Sequence, residues 1–136
     1  MIQNLLLIDD NDMDNFIAKL LLEKKHITEN ITVKKSAGEA LTYLDELQNS
    51  SQGFPEVILL DINMPVMNGF EFLDRFSQYP GKVTEKCCVI ILSSSSDPKD
   101  IKRAKDFRYV QDYFVKPITT ETVKRIEERF MSALNS

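Results

Sequence analysis

Three short runs of uninterrupted apolar residues constrain this chain more than any other feature. They are Leu5-Leu6-Leu7-Ile8, Val57-Ile58-Leu59-Leu60 and Cys87 to Leu92. None alternates apolar with polar, as a strand with one wet face would, so each reads as a strand covered on both sides. Between and around them the period changes to that of helices. Met13, Phe16, Ile17, Leu20 and Leu21 repeat at helical spacing, as do Ala37, Ala40, Leu41, Leu44 and Leu47 behind a capping box at Ser36 and Glu39. Ile31 to Lys35 is a short strand candidate. Phe70, Leu73 and Phe76 predict a helix over 69–78, ended by Tyr79-Pro80-Gly81. Asp97-Pro98 is an N-cap followed by a proline at the first helical position, opening a basic helix over 99–108. Val110 to Val115 is the fifth strand. A last helix from Thr119 or Thr120 carries Val123, Ile126, Phe130 and Leu134 on one face. Five strand–helix units in alternation imply a mostly parallel sheet with helices on both faces, an α/β doubly wound architecture. Asn49 to Gly53 reads as a polar loop, and no linker or repeat divides the chain, so a single domain over 1–136 is expected.

Composition narrows the function classes. At 136 residues and 43% hydrophobic the chain builds a core without a disulfide framework or a structural metal. A net charge of −4 weighs against nucleic acid as the main partner. The charge is uneven: residues 1–96 carry 8 basic and 14 acidic side chains, residues 97–136 carry 9 and 7. Cys87 and Cys88 are adjacent, and strand neighbours point to opposite faces, so both are expected as reduced core residues. The start Met1-Ile2-Gln3-Asn4 lacks the basic region of a secretory signal, so none is expected, and no run approaches the roughly 20 apolar residues of a membrane span. A cytoplasmic protein without membrane contact is expected.

Ligands of an open α/β sheet bind at the carboxyl ends of its strands. Here strand one ends in Asp9-Asp10, strand three in Asp61, strand four in Ser93 to Ser96 and strand five in Lys116-Pro117. Three carboxylates in one crevice repel one another and call for a cation. An all-oxygen site suits a hard divalent ion such as Mg²⁺, which takes one or two carboxylates plus waters. The Lys116 ammonium and the Ser93 hydroxyl would add donors for the oxygens of a transferring phosphoryl group. A carboxylate among them can be the nucleophile, and Asp61, on the central strand, is best placed. The four glycines (38, 53, 69 and 81) form no phosphate-cradling loop, and no Cys/His cluster has zinc spacing.

These residues resemble the receiver domain of two-component response regulators. The resemblance is carried by Leu7-Ile8-Asp9-Asp10, by Leu59-Leu60-Asp61-Ile62-Asn63-Met64-Pro65-Val66-Met67-Asn68-Gly69, by Ile91-Leu92-Ser93-Ser94 and by Tyr113-Phe114-Val115-Lys116-Pro117. It spans about residues 4–134 and is similar to the stand-alone receivers, such as the chemotaxis response regulator, that carry no output domain. It implies a flavodoxin-like (βα)5 fold with strand order 2-1-3-4-5. It implies that Asp61 accepts a phosphoryl group from a sensor histidine kinase or phosphotransfer protein. Asp10, Asp61 and the main-chain carbonyl of Asn63 would ligate Mg²⁺, with Mn²⁺ as a substitute, and Asp9 would act through a coordinated water. Lys116 would pair with Asp61 and then with the phosphoryl group. Ser93 and Tyr113 would form the switch, while Asn63, Ser94 and Ser95 would tune phosphoryl lifetime. Output would be a phosphorylation-dependent protein contact on the face of the fourth helix, fifth strand and fifth helix. The chain would not be an enzyme beyond self-phosphorylation and self-dephosphorylation, and would be a monomer or a weak phosphorylation-dependent dimer. The Lys116-Pro117 bond is a candidate cis peptide.

Three positions depart from the family pattern: Ser93 for threonine, Asn68-Gly69 for Asp-Gly, and Tyr109-Val110 for Gly-Ala. The last removes a glycine that can end the fourth helix in a left-handed turn. Two rival functions remain at this level. One is a constitutive binding module of receiver fold. The other is an aspartyl-nucleophile phosphatase, which Asp61-Ile62-Asn63 distantly resembles but which needs an acid where Asn63 stands. Asp12 and Asp14 read as first-turn charges complementing a helix dipole, His26 as a surface residue at a helix end, Met64 as packing and Met67 as a candidate kinase contact.

Overall fold

The computed structural model describes residues 1–49 and 53–134, so residues 50–52 of the expected polar loop lie outside the described residues. Among the described residues the strands are β1 (Ile2–Ile8), β2 (Thr28–Lys34), β3 (Val57–Leu60), β4 (Cys88–Ser93) and β5 (Val110–Val115). The helices are α1 (Asp12–Lys24), α2 (Ala37–Gln48), α3 (Gly69–Phe76), α4 (Gly81–Thr84), α5 (Pro98–Lys105) and α6 (Thr120–Leu134). All strand pairs are parallel, in the order β2-β1-β3-β4-β5 of the flavodoxin-like fold. The β4–β5 register shifts between Val89 and Ile90, where β5 carries the extra residue Gln111.

The uninterrupted runs are buried on both faces because each strand feeds two cores. Leu6, Ile8, Ile58, Leu60, Val89 and Ile91 pack with α2, α3 and Ala104 of α5. Leu5, Leu7, Leu59, Cys88, Ile90 and Leu92 pack with α1 and α6. Cys87 and Cys88 fall into opposite cores as free thiols. Burial pushes both thiols up, Cys88 to about 12, which removes them from thiolate chemistry at neutral pH.

Several local expectations need correction. The apolar stripe read on α1 is not its buried face: Met13, Phe16, Ile17 and Leu20 are exposed, at 65%, 64%, 38% and 54%, while Asn15, Ala18 and Leu22 are buried. Of the stripe, only Leu21 packs against the core. Leu134 on α6 is likewise exposed, although Val123, Ile126 and Phe130 are buried. Ser36 accepts from the Glu39 N–H but also donates to the Glu39 carboxylate, so the reciprocal half of the expected box is replaced by a side-chain pair. A full capping box stands instead at Asn68 and Glu71, so asparagine keeps the start of α3. After α3 the chain forms the extra short helix α4, with Pro80 as its N-cap residue.

Tyr109 does not distort the end of α5. That helix closes on Asp106 in right-handed conformation, its N–H bonded to the Ala104 and Arg103 carbonyls, so no left-handed glycine is required. The Tyr109 ring meets Phe76 edge-on at 4.9 Å, and its hydroxyl donates to the Leu73 carbonyl at 2.6 Å. The bulky residue fills space against α3 and ties the α5–β5 turn to it.

Candidate phosphoryl and metal site

Strand register assembles the site. Ile8 pairs with Leu60, Leu60 with Ile91, and Ser93 with Val115, so the residues that follow each strand emerge at one edge. Backbone bonds extend the ladder one step further: Asp61 N–H to Ile8 C=O at 3.0 Å and Lys116 N–H to Ser93 C=O at 2.8 Å. Asp9, Asp10 and Asp61 each bring a carboxylate oxygen to within 4.8 Å of the others. Asp9 and Asp61 are buried and Asp10 is exposed, which leaves the cluster one open side.

The helix after Asp61 is held close by Gly69. A Cβ there would lie 2.6 Å from the Ile62 Cα and 2.8 Å from the Asp61 carbonyl oxygen, so only glycine allows this approach. In the intervening loop, Met67 N–H bonds the Pro65 carbonyl at 2.9 Å and closes a tight turn around Val66. Val66 has φ 69 and is fully exposed, a conformation that β-branched residues rarely adopt. Met64 is buried in the core, as expected, and Met67 is half-buried against it.

The electrostatics follow from crowding. The Asp61 carboxyl is pushed up to about 6, by burial first and then by the Asp9 charge, with Asp10 adding less. Lys116 and the Asn63 N–H, which donates to Asp61 at 3.2 Å, pull the other way. Burial alone would depress the Lys116 ammonium. Hydrogen bonds to Asp14 and Asp9, and the Asp61 charge, outweigh it and lift its pKa above the ordinary value. One ammonium against three converging carboxylates leaves the cluster anionic. An all-oxygen, partly open and under-neutralised donor set fits a hard divalent cation held by Asp10 and Asp61, with Asp9 beside them.

Lys116 is brought to the cluster, but not mainly to Asp61. Its Nζ lies 2.6 Å from Asp9, 2.8 Å from Asp14 and 3.8 Å from Asp61. Asp14, read as a first-turn charge, is therefore a member of the site. Asn15 was missed too: its Nδ2 donates to the Asp9 carbonyl at 2.8 Å and pins α1 to the end of β1. Nothing in the local pattern singles out either residue, because their partners come from other elements. Asp12 does stay outside, paired with Lys35 at 2.6 Å.

Ser93 is fully buried, and its Oγ accepts from the Ser95 N–H at 3.2 Å. The half-buried Tyr113 donates its hydroxyl to the Ser95 carbonyl at 2.8 Å, so both switch candidates grip the same loop. Ser95 itself donates to Asp100 at 2.6 Å, whereas the exposed Ser94 receives the Asn63 Nδ2 at 3.4 Å. The Lys116-Pro117 bond is cis. His26 is exposed just past α1.

Residues 5–127 match the response regulator receiver domain family. A two-component response regulator from Cytophaga hutchinsonii superposes with a TM-score of 0.88 at 35% identity, covering 99% of this chain and 98% of that one. The phosphorylated cyanobacterial phytochrome response regulator RcpA superposes with a TM-score of 0.79 at 28% identity, covering 96% and 94%. The two-component response regulator ARR5 of Arabidopsis thaliana is 32% identical over 136 residues, 96% of this chain and 71% of that protein. Among the described residues no helix is long and apolar enough to cross a membrane.

Proposed function

The chain belongs to the response regulator receiver domain family, and from that premise we propose that it is a phosphorylation-dependent switch in which Asp61 accepts the phosphoryl group. Receivers are signalling modules rather than enzymes acting on external substrates. The observation that carries the reading is the convergence of Asp9, Asp10 and Asp61 within 4.8 Å of one another, beside the Lys116 ammonium from the residue that follows β5.

An Asp61 oxygen is the nucleophile. It bonds to phosphorus while the donor's bond to phosphorus breaks, the electron pair leaving with the donor. Mg²⁺ would be held by Asp10, Asp61 and the Asn63 carbonyl, with Asp9 acting through water, and would neutralise charge developing on the phosphoryl oxygens; Mn²⁺ is an expected substitute. Lys116 supplies the second positive charge. Ser93 Oγ donates to a phosphoryl oxygen, which draws on the loop that Tyr113 also holds and biases the face of α5, β5 and α6 between two arrangements. Asn63, Ser94 and Ser95 border the acceptor and set how freely water reaches it. That RcpA carries a phosphoryl group in its solved structure supports the same chemistry here.

The phosphodonor is a histidine kinase or phosphotransfer protein. Its docking surface is the exposed row Met13, Phe16, Ile17 and Leu20, which begins one turn after Asp10. The complete acidic set argues against a constitutive binding role, and Asn63 supplies no acid for a phosphatase. Intact mass after incubation with Mg²⁺ and acetyl phosphate tests the reading. One added phosphoryl group is expected, lost in Asp61→Ala and with a chelator. An adduct that survives Asp61→Ala would move the acceptor elsewhere.

A further inference from the structure

Among the contacts of Lys116, the bond to Asp14 has no part in the switch as described. The ammonium has three donors, and its two short bonds go to Asp9 and Asp14, leaving Asp61 at 3.8 Å, beyond hydrogen-bond range. Asp9 belongs to the carboxylate cluster around Asp61, so an ammonium shifted toward Asp61 stays near Asp9. Asp14 belongs instead to the first turn of α1, where its N–H is fixed by the Asn11 side chain. Its own side chain is 38% exposed, against 4% for Asp9. Water can take over its carboxylate at small cost, so this is the tether that can be released.

We propose that Asp14 is a positioning residue that holds the Lys116 ammonium back from Asp61 in the resting state and so slows phosphoryl uptake without altering phosphoryl loss. The proposal rests on Asp61 as the acceptor. During uptake the ammonium starts on Asp9 and Asp14 and ends on a phosphoryl oxygen, so the Asp14 bond is weakened on the way to the transition state. During hydrolysis a water oxygen bonds to phosphorus and the bond to Asp61 breaks. The ammonium is on the phosphoryl group at the start and in the transition state alike, so Asp14 cancels. An interaction present in only one ground state changes one rate and spares the other.

The test is Asp14→Asn, which keeps size and removes the charge. With acetyl phosphate and Mg²⁺, uptake by the variant should be about three- to fivefold faster, the upper part of the range for losing a partly exposed ion pair. Hydrolysis, followed after donor removal, should stay within about twofold. Asp14→Glu, which can reach the ammonium again, should return uptake toward the original rate. In metal-free protein the Lys116 side-chain ¹⁵N resonance, assigned through Lys116→Arg, should move in Asp14→Asn and not in Asp12→Asn. Slower or unchanged uptake in Asp14→Asn overturns the proposal, as does a parallel change in both rates. No adduct on the unmodified protein with acetyl phosphate, carbamoyl phosphate or phosphoramidate overturns the Asp61 reading and this proposal with it.

Discussion

Helices α1 and α2 carry the same kind of sequence pattern and meet opposite fates. Both show apolar residues at helical spacing, and both pack beside β1 in the fold. On α2 the pattern is the core: Ala37, Ala40, Leu44 and Leu47 are buried. On α1 four of the large apolar residues face solvent, and a smaller, partly polar face of Asn15, Ala18 and Leu22 is buried instead. The buried face of α1 includes a bond to the site. The buried Asn15 donates to the Asp9 carbonyl, and Ala18 and Leu22 enter the core on the same face, which sets the rotation of α1 about its axis. The large side chains are then turned outward, beside the carboxylates, where a partner can use them. This exposed row is the docking surface proposed above for the phosphodonor. Both helices are held by packing, and α1 adds a buried hydrogen bond to the end of β1.

That contrast can be broken at measurable points. The largest effect is expected at Leu44→Ala on α2, which removes a fully buried side chain. Chemical denaturation should show a loss of about 2–5 kcal/mol. The counterpart on α1, Phe16→Ala, should change stability by less than about 0.5 kcal/mol. Its effect should fall on partner chemistry. Transfer from a protein phosphodonor should drop about tenfold or more in Phe16→Ala while uptake from acetyl phosphate is unchanged, a loss of the size seen at interface hot spots. Equal losses from both donors would remove α1 as the docking surface.

The carboxylate crowding beneath α1 has its own signature. Because Asp61 has its pKa raised to about 6, the metal-free folded protein holds a proton that the unfolded chain has released. Stability should therefore fall as pH rises from about 4 to about 6, by about 1–3 kcal/mol, and level off above that. Asp61→Asn should flatten this segment of the curve, and saturating Mg²⁺ should recover stability at pH 7. A rise across the same window that is unaltered by Asp61→Asn would contradict the assigned crowding. A smaller effect is expected on the far side of the sheet from α1. Tyr109→Phe keeps the ring contact with Phe76 and deletes the bond to the Leu73 carbonyl. The cost should be about 0.5–1.5 kcal/mol by thermal or chemical melting, without change in phosphoryl uptake.

What the sequence by itself determined is what local pattern can encode. Apolar runs such as Val57-Ile58-Leu59-Leu60, bounded by turn signals, read as doubly covered strands, because a strand with one wet face would alternate. The residues that close those runs, Asp9, Asp10, Asp61, Ser93 and Lys116, were legible as a set because parallel strands bring their carboxyl ends to one edge. Helix starts at Ser36 and Asp97 were legible because capping is a contact over two or three residues. Tertiary structure alone decided which face of α1 is buried, that Lys116 spends its short bonds on Asp9 and Asp14, and that Tyr109 fills a gap against α3. Each of these depends on groups far apart in the chain: Lys116 is 102 positions from Asp14 and Tyr109 is 36 from Leu73. Helical periodicity says that a face is apolar. It does not say which face is turned inward, because that rotation is fixed by contacts with elements the helix does not contain.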